Sequence, residues 1–149
     1  MERTTLDRTW TAPEKVTGRL AQRVLRYSEV IERIVVSAKD PGFDAEAGWA
    51  ELEALIDVAR FERVGNDKAR MGWAVYRDLL NGWAGTTAFW KEFHRISEVG
   101  SRVFLELTEH NTPKGGAESV VNSLSVYAFD EAGDDAGKLV HLDIYLQHD

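Results

Sequence analysis

The chain has 149 residues, 44% of them hydrophobic and 29% charged, with a formal net charge of −7 and no cysteine. That size and balance fit one globular domain and exclude a disordered chain, a disulfide framework and any thiolate chemistry. The acidic surplus argues against a nucleic-acid partner, and no stretch approaches the roughly 20 apolar residues of a membrane span, so no membrane partner is expected either.

The opening MERTTLDRTW has no apolar core of the signal-peptide kind, which makes a cytoplasmic protein the expectation. Residues 1–12 read as a loose arm, with residues 13–149 as a single domain. From Pro13 to about Ala38, Val16, Leu20, Val24, Tyr27, Ile31 and Ile34 fall three or four apart and predict one long helix with an apolar stripe. Asp40-Pro41-Gly42 stops it. Asp44 suits the N-cap of a second helix carrying Trp49, Leu52 and Ile56 on one side. IDVARFERVG reads as a strand or hairpin, and a third helix, about Asp67 to Trp83, is expected to send Met71, Val75, Tyr76, Leu79 and Leu80 to the core.

After Thr87 come AFWKEFHRISE, RVFLELTEH, SVVNSLSVYAF and KLVHLDIYL, separated by short Gly-rich turns. Four such segments in succession predict an antiparallel meander, and helices before strands predict an α+β class. Alternation places Val140, Leu142, Ile144 and Leu146 on one face of the final strand, with His141, Asp143, Tyr145 and Gln147 on the other. It also places Val103, Leu105, Leu107 and Glu109 together. An aliphatic row backed by a mixed row suggests that both sheet faces are covered, either by a homodimer through the sheet, the favoured reading, or by the N-terminal arm.

The helix and strand order, with FERVG, FHRISEVGSRVFLELTE and FDEAGDDAGKLVHLDIYL, resembles the NTF2-like superfamily, within it the limonene-epoxide-hydrolase-like and SnoaL-like (polyketide cyclase) group. The resemblance spans roughly residues 13 to 148. It implies a cone of three helices on a curved antiparallel sheet around an apolar pocket, used by some members for acid–base chemistry on lipid-like substrates. It also implies which positions carry that chemistry. The last-strand Asp is present as Asp143 and the second acid in kind as Glu109, but Leu107, Phe61 and Arg63 stand at the family's Arg, Tyr and Asn positions. Arg63 could then bridge Glu109 and Asp143, whose charges would otherwise repel.

Asp143 among Leu142, Ile144, Tyr145 and Leu146, and Glu109 at the end of its apolar row, are thus the candidate acid and base, with Arg63 setting their charge. Phe61, Trp90, His94, Leu107, His141 and Tyr145 are the candidate substrate contacts. Four scattered His show no metal-ligand spacing, and GDDAGK lacks the length and the following Ser or Thr of a phosphate loop, so no metal and no cofactor is expected. Two functions stay open. One is a cofactor-independent acid–base enzyme that cyclises, or opens an epoxide in, a hydrophobic polyketide- or terpenoid-like small molecule. The other is a non-catalytic cone that binds such a ligand or mediates assembly.

Overall fold

The computed structural model describes residues 12–130 and 137–148. The expected N-terminal arm, apart from Ala12, lies outside the described residues. Pro13–Lys15 forms one 3-10 turn, and helix α1 begins later than the apolar spacing suggests, at Arg19–Ser37, after Gly18 in extended conformation. Gly18 has no side chain to cap the helix. Glu98 reaches over from the sheet instead, and its Oε1 accepts the Ala21 N–H at 2.6 Å. The stripe of α1 is buried at Leu20, Val24, Tyr27 and Ile34. Helix α2, Ala45–Glu53, has the expected cap: Asp44 Oδ1 accepts the N–H groups of Glu46 and Ala47 at 3.1 and 3.3 Å. Its Trp49 and Leu52 are fully buried.

Between α2 and the third helix the chain makes a small hairpin, β1 (Glu62–Val64) with β2 (Arg70–Gly72). Asp67 caps the turn rather than a helix: its Oδ1 accepts the Ala69 N–H at 3.0 Å, and Lys68 sits at φ 66°. Helix α3 therefore starts at Trp73 and runs to Thr86, not from Asp67. It packs through Trp73, Tyr76, Leu80 and Ala84, which leaves Val75 and Leu79 59% and 50% exposed and corrects the expectation that both face the core.

The remaining chain is the predicted meander: β3 (Thr87–Val99), β4 (Arg102–Pro113), β5 (Ser119–Asp130) and β6 (Lys138–Gln147). The six strands form one open, curved sheet in the order β2-β1-β6-β5-β4-β3, and β1 joins β6 in parallel. Three helices on this curved sheet give the expected α+β architecture. The inner face carries Val103, Leu105, Leu107 and Glu109 of β4, as alternation requires. Two bulges alter the parity elsewhere. One between Phe93 and Arg95 leaves His94 outward beside Thr108 while Ile96 turns inward, so these two do not share a face. The other, opposite Ala128 and Phe129, buries Leu139 and takes Val140 out of the row of Leu142, Ile144 and Leu146. No helix among the described residues is long and apolar enough to cross a membrane.

Candidate functional site

A cavity of about 440 Å³ lies between α1, α3 and the inner face of the sheet. Its wall is mainly apolar and aromatic because the inward rows of β4, β5 and β6 meet the inner stripes of two helices. Leu79, Leu80 and Trp83 come from α3, Phe89 from β3, and Ile144 and Leu146 from β6. Trp83 is fixed by a bond from its Nε1 to Asn111 Oδ1 (3.1 Å) and by edge-to-face contact with Phe89 at 5.1 Å.

Polar groups enter this space at two places. Glu109 is the one carboxylate among the described lining residues, and burial raises its pKa, opposed by the Ser123 hydroxyl and Lys91. Lys91 stands directly opposite Glu109 in the β3–β4 register and also lines the cavity. Its Nζ donates to Ser28 Oγ and pairs with Glu32 at 3.5 Å. Burial holds its pKa below the usual lysine value, and Glu32 pulls the other way. Each partner is therefore shifted toward its neutral form, which suits a pair that trades a proton.

The second place is built from Arg63 and three tyrosines. Arg63, opposite Leu142 in the parallel ladder, extends inward, and its guanidinium carbon lies 5.1 Å from the centre of the Tyr76 ring. A side chain at Gly65 would collide with Arg63 Nη1, so a bare backbone lets the guanidinium lie where it does. Tyr27, Tyr76 and Tyr127 are all buried, and desolvation raises each phenol above its ordinary value. Tyr76 stacks on Phe61 at 6.0 Å, and Tyr27 meets Tyr127 edge-on at 5.6 Å.

Of the residues singled out from sequence, Arg63, Glu109 and Leu107 line the cavity together. Phe61 lies behind Tyr76 in the core. The other five candidates, and Asp143 above all, are elsewhere. Asp143 shares the outer face with His141, whose Nε2 is 2.9 Å from Asp143 Oδ1 and whose Nδ1 is 3.6 Å from Glu62. Arg63 therefore cannot bridge Asp143 and Glu109, because the sheet stands between them. Trp90 is half exposed and stacks on His110 at 3.6 Å, His94 hydrogen-bonds Thr108, and Tyr145 is 55% exposed, all on the outer face. His94 and Tyr145 border a second hollow there, of about 250 Å³.

Among the cavity groups that escaped the sequence reading are Lys91, Tyr27, Tyr76 and Tyr127. Lys91 had a usable signal, since it alternates with Phe89 and Phe93 on the inward row of β3. Tyr27 and Tyr76 read as filler in helical stripes, and nothing in spacing separates a core phenol from a cavity phenol. Among the described residues no group of three or more His, Asp or Glu side chains is arranged to hold a metal ion.

Neither a family model nor a curated protein matches the chain in sequence. Solved structures do match in shape. A protein put forward as a SnoaL-like polyketide cyclase, from Shewanella denitrificans, superposes with TM-score 0.67 at 10% identity over 88% of this chain and 92% of its own. An epoxide hydrolase of limonene-epoxide-hydrolase-like type from M. tuberculosis gives TM-score 0.59 at 16% identity, covering 85% and 84%. SalBIII, described as an epoxide hydrolase/cyclase-like enzyme of pyran ring formation in the polyether salinomycin, gives 0.60 at 15%, covering 85% and 91%. NTF2-like proteins of unknown function also match. The likeness is one of fold.

Proposed function

We propose that the cavity is the active site of a cofactor-independent acid–base enzyme that closes a ring on a mainly apolar, polyketide- or terpenoid-like hydroxy-epoxide. The observation that carries the reading is the Glu109–Lys91 pair, set side by side in an apolar hollow with both pKa values drawn toward neutrality. Glu109 takes the proton from the substrate's hydroxyl as its oxygen attacks an epoxide carbon. The C–O bond of the epoxide breaks, and its oxygen receives a proton from the Lys91 ammonium. Glu109 then returns its proton to the Lys91 amine, so the product is an isomer of the substrate.

The test is conversion of a terpenoid 4,5-epoxy alcohol to its cyclic ether, followed by mass spectrometry and NMR. Wild type should form the ether and Glu109→Gln should lose that activity. Full activity in Glu109→Gln would end the mechanism. Tight binding of such alcohols without turnover would instead establish the ligand-binding function. The outer face exposes Trp90, Val120, Leu124 and Tyr145, and we assign it to a second copy of the chain, since such a patch can meet its own image across a twofold axis. Sedimentation of a Leu124→Glu/Tyr145→Glu variant should show a monomer where wild type is a dimer.

A further inference from the structure

We infer that the Arg63 end of the cavity is a subsite for an anionic oxygen, and that the ligand it takes is an amphiphilic carboxylate whose apolar body lies toward Leu79, Trp83 and Phe89. The inference deepens the proposed function, because it rests on the same cavity holding the substrate. One buried donor there has nothing to donate to: Arg63 Nε is shielded from solvent and makes no hydrogen bond, while the Tyr27 hydroxyl is turned to that of Tyr76. An unmet buried donor is costly, and one carried by a cavity-lining guanidinium is matched by a ligand that brings acceptor oxygens.

Charge leads to the same end of the cavity. The described lining holds two cations, Arg63 and Lys91, against one carboxylate, Glu109, although the chain as a whole carries −7. Lys91 already has Glu109 across the ladder and Glu32 at 3.5 Å. No carboxylate among the described residues forms an ion pair with Arg63, whose guanidinium lies by the Tyr76 ring and the Gly65 backbone, with Asp67 Oδ1 on the far side of that glycine. A guanidinium is a planar fork of donors that matches a carboxylate with two parallel bonds. Its charge is felt by Tyr27 and Tyr76 alike, and burial holds both phenols in the protonated form. The cavity thus has an anchoring pole at Arg63, backed by the Tyr27–Tyr76 pair, and a reacting pole at Glu109 and Lys91. Gly65 is the positioning residue of the first pole.

The probe pair is 2-naphthoate and its methyl ester, titrated against the full chain at pH 7.5 by calorimetry and by tryptophan fluorescence. The carboxylate should bind at least tenfold tighter than the ester. Arg63→Met should abolish that preference, Tyr27→Phe should reduce it severalfold, and Gly65→Ala should reduce it by displacing the guanidinium; none of the three should weaken the ester comparably. Tyr27→Phe and Gly65→Ala keep the test open if Arg63→Met does not fold. Equal affinity of wild type for acid and ester, or a preference that survives in Arg63→Met, overturns the subsite. Because the readout is binding, it applies whether or not the protein turns over an epoxide. A protein that cyclises the epoxy alcohol but binds acid and ester alike refutes the subsite alone.

Discussion

The inner and outer faces of the sheet are made of alternating residues of the same strands, yet they are chemically unlike. On the inner face Glu109 and Lys91 are desolvated and shifted toward neutrality. On the outer face Arg95 pairs with Glu106 at 2.5 Å, and His110 meets Glu92 at 2.9 Å and Glu118 at 3.5 Å; the Glu92 contact chiefly raises the imidazole pKa. What separates a desolvated carboxylate from an ordinary one here is parity and not chain neighbours. Asp143 and Glu109 both stand among aliphatic residues in sequence, and only one of them is enclosed by them in space.

The sharpest way to break this contrast is to neutralise one acid on each face. Glu109→Gln should lower the cyclisation rate by roughly 10³-fold, within the range of a lost general base, whereas Asp143→Asn should leave it within about twofold. The reverse result would place the chemistry on the outer face.

A second comparison concerns packing. Leu105 is 1% exposed on the inner face and Leu124 is 36% exposed on the outer. Leu105→Ala should cost about 3 kcal/mol in urea unfolding, and Leu124→Ala well under about 1 kcal/mol.

The third concerns pH. Burial lifts the pKa of Glu109, so the folded protein binds its proton more tightly than the unfolded chain does. The stability this proton contributes is complete below the ordinary carboxylate range and is lost as pH rises through the raised value. Glu109→Gln should therefore match wild type at pH 4 and be the more stable of the two at pH 8, read by urea unfolding at each pH. Lys91 and Ser123 face the same carboxylate, and loss of the Lys91 attraction trims that gain. A flat difference between the two pH values would mean that Glu109 is not desolvated. The smallest effect belongs to the exposed pair: Arg95→Gln should leave the melting temperature unchanged within error.

Much of this contrast was legible in the sequence. The four meander strands, the α2 cap at Asp44 and the inward row of β4 follow directly from alternation and turn chemistry. The same rule, applied strictly, places Asp143 opposite the row of Leu142, Ile144 and Leu146, hence outside. Its candidacy came from resemblance, which carries a residue type to a position without carrying the direction in which it points. The hairpin strand β2 escaped because Arg70-Met71-Gly72 is too short to alternate, and Asp67 caps a turn with the residue that would cap a helix. The two bulges escaped because they leave no mark of composition. Gly18 falls inside the helix expected from Pro13 and is instead where Glu98 comes in.

The parallel ladder of β1 on β6 has a consequence in time. Three residues of β1 with three of β2 make a hairpin too small to persist unaided, and its other support is the pairing of Glu62, Arg63 and Val64 with His141, Leu142 and Asp143, far along the chain. As the polypeptide emerges from the ribosome, helices and the first meander strands can assemble while Arg63 still lacks its place. The cation is seated on β6, so the anion subsite proposed above would be completed only after the last strand has paired.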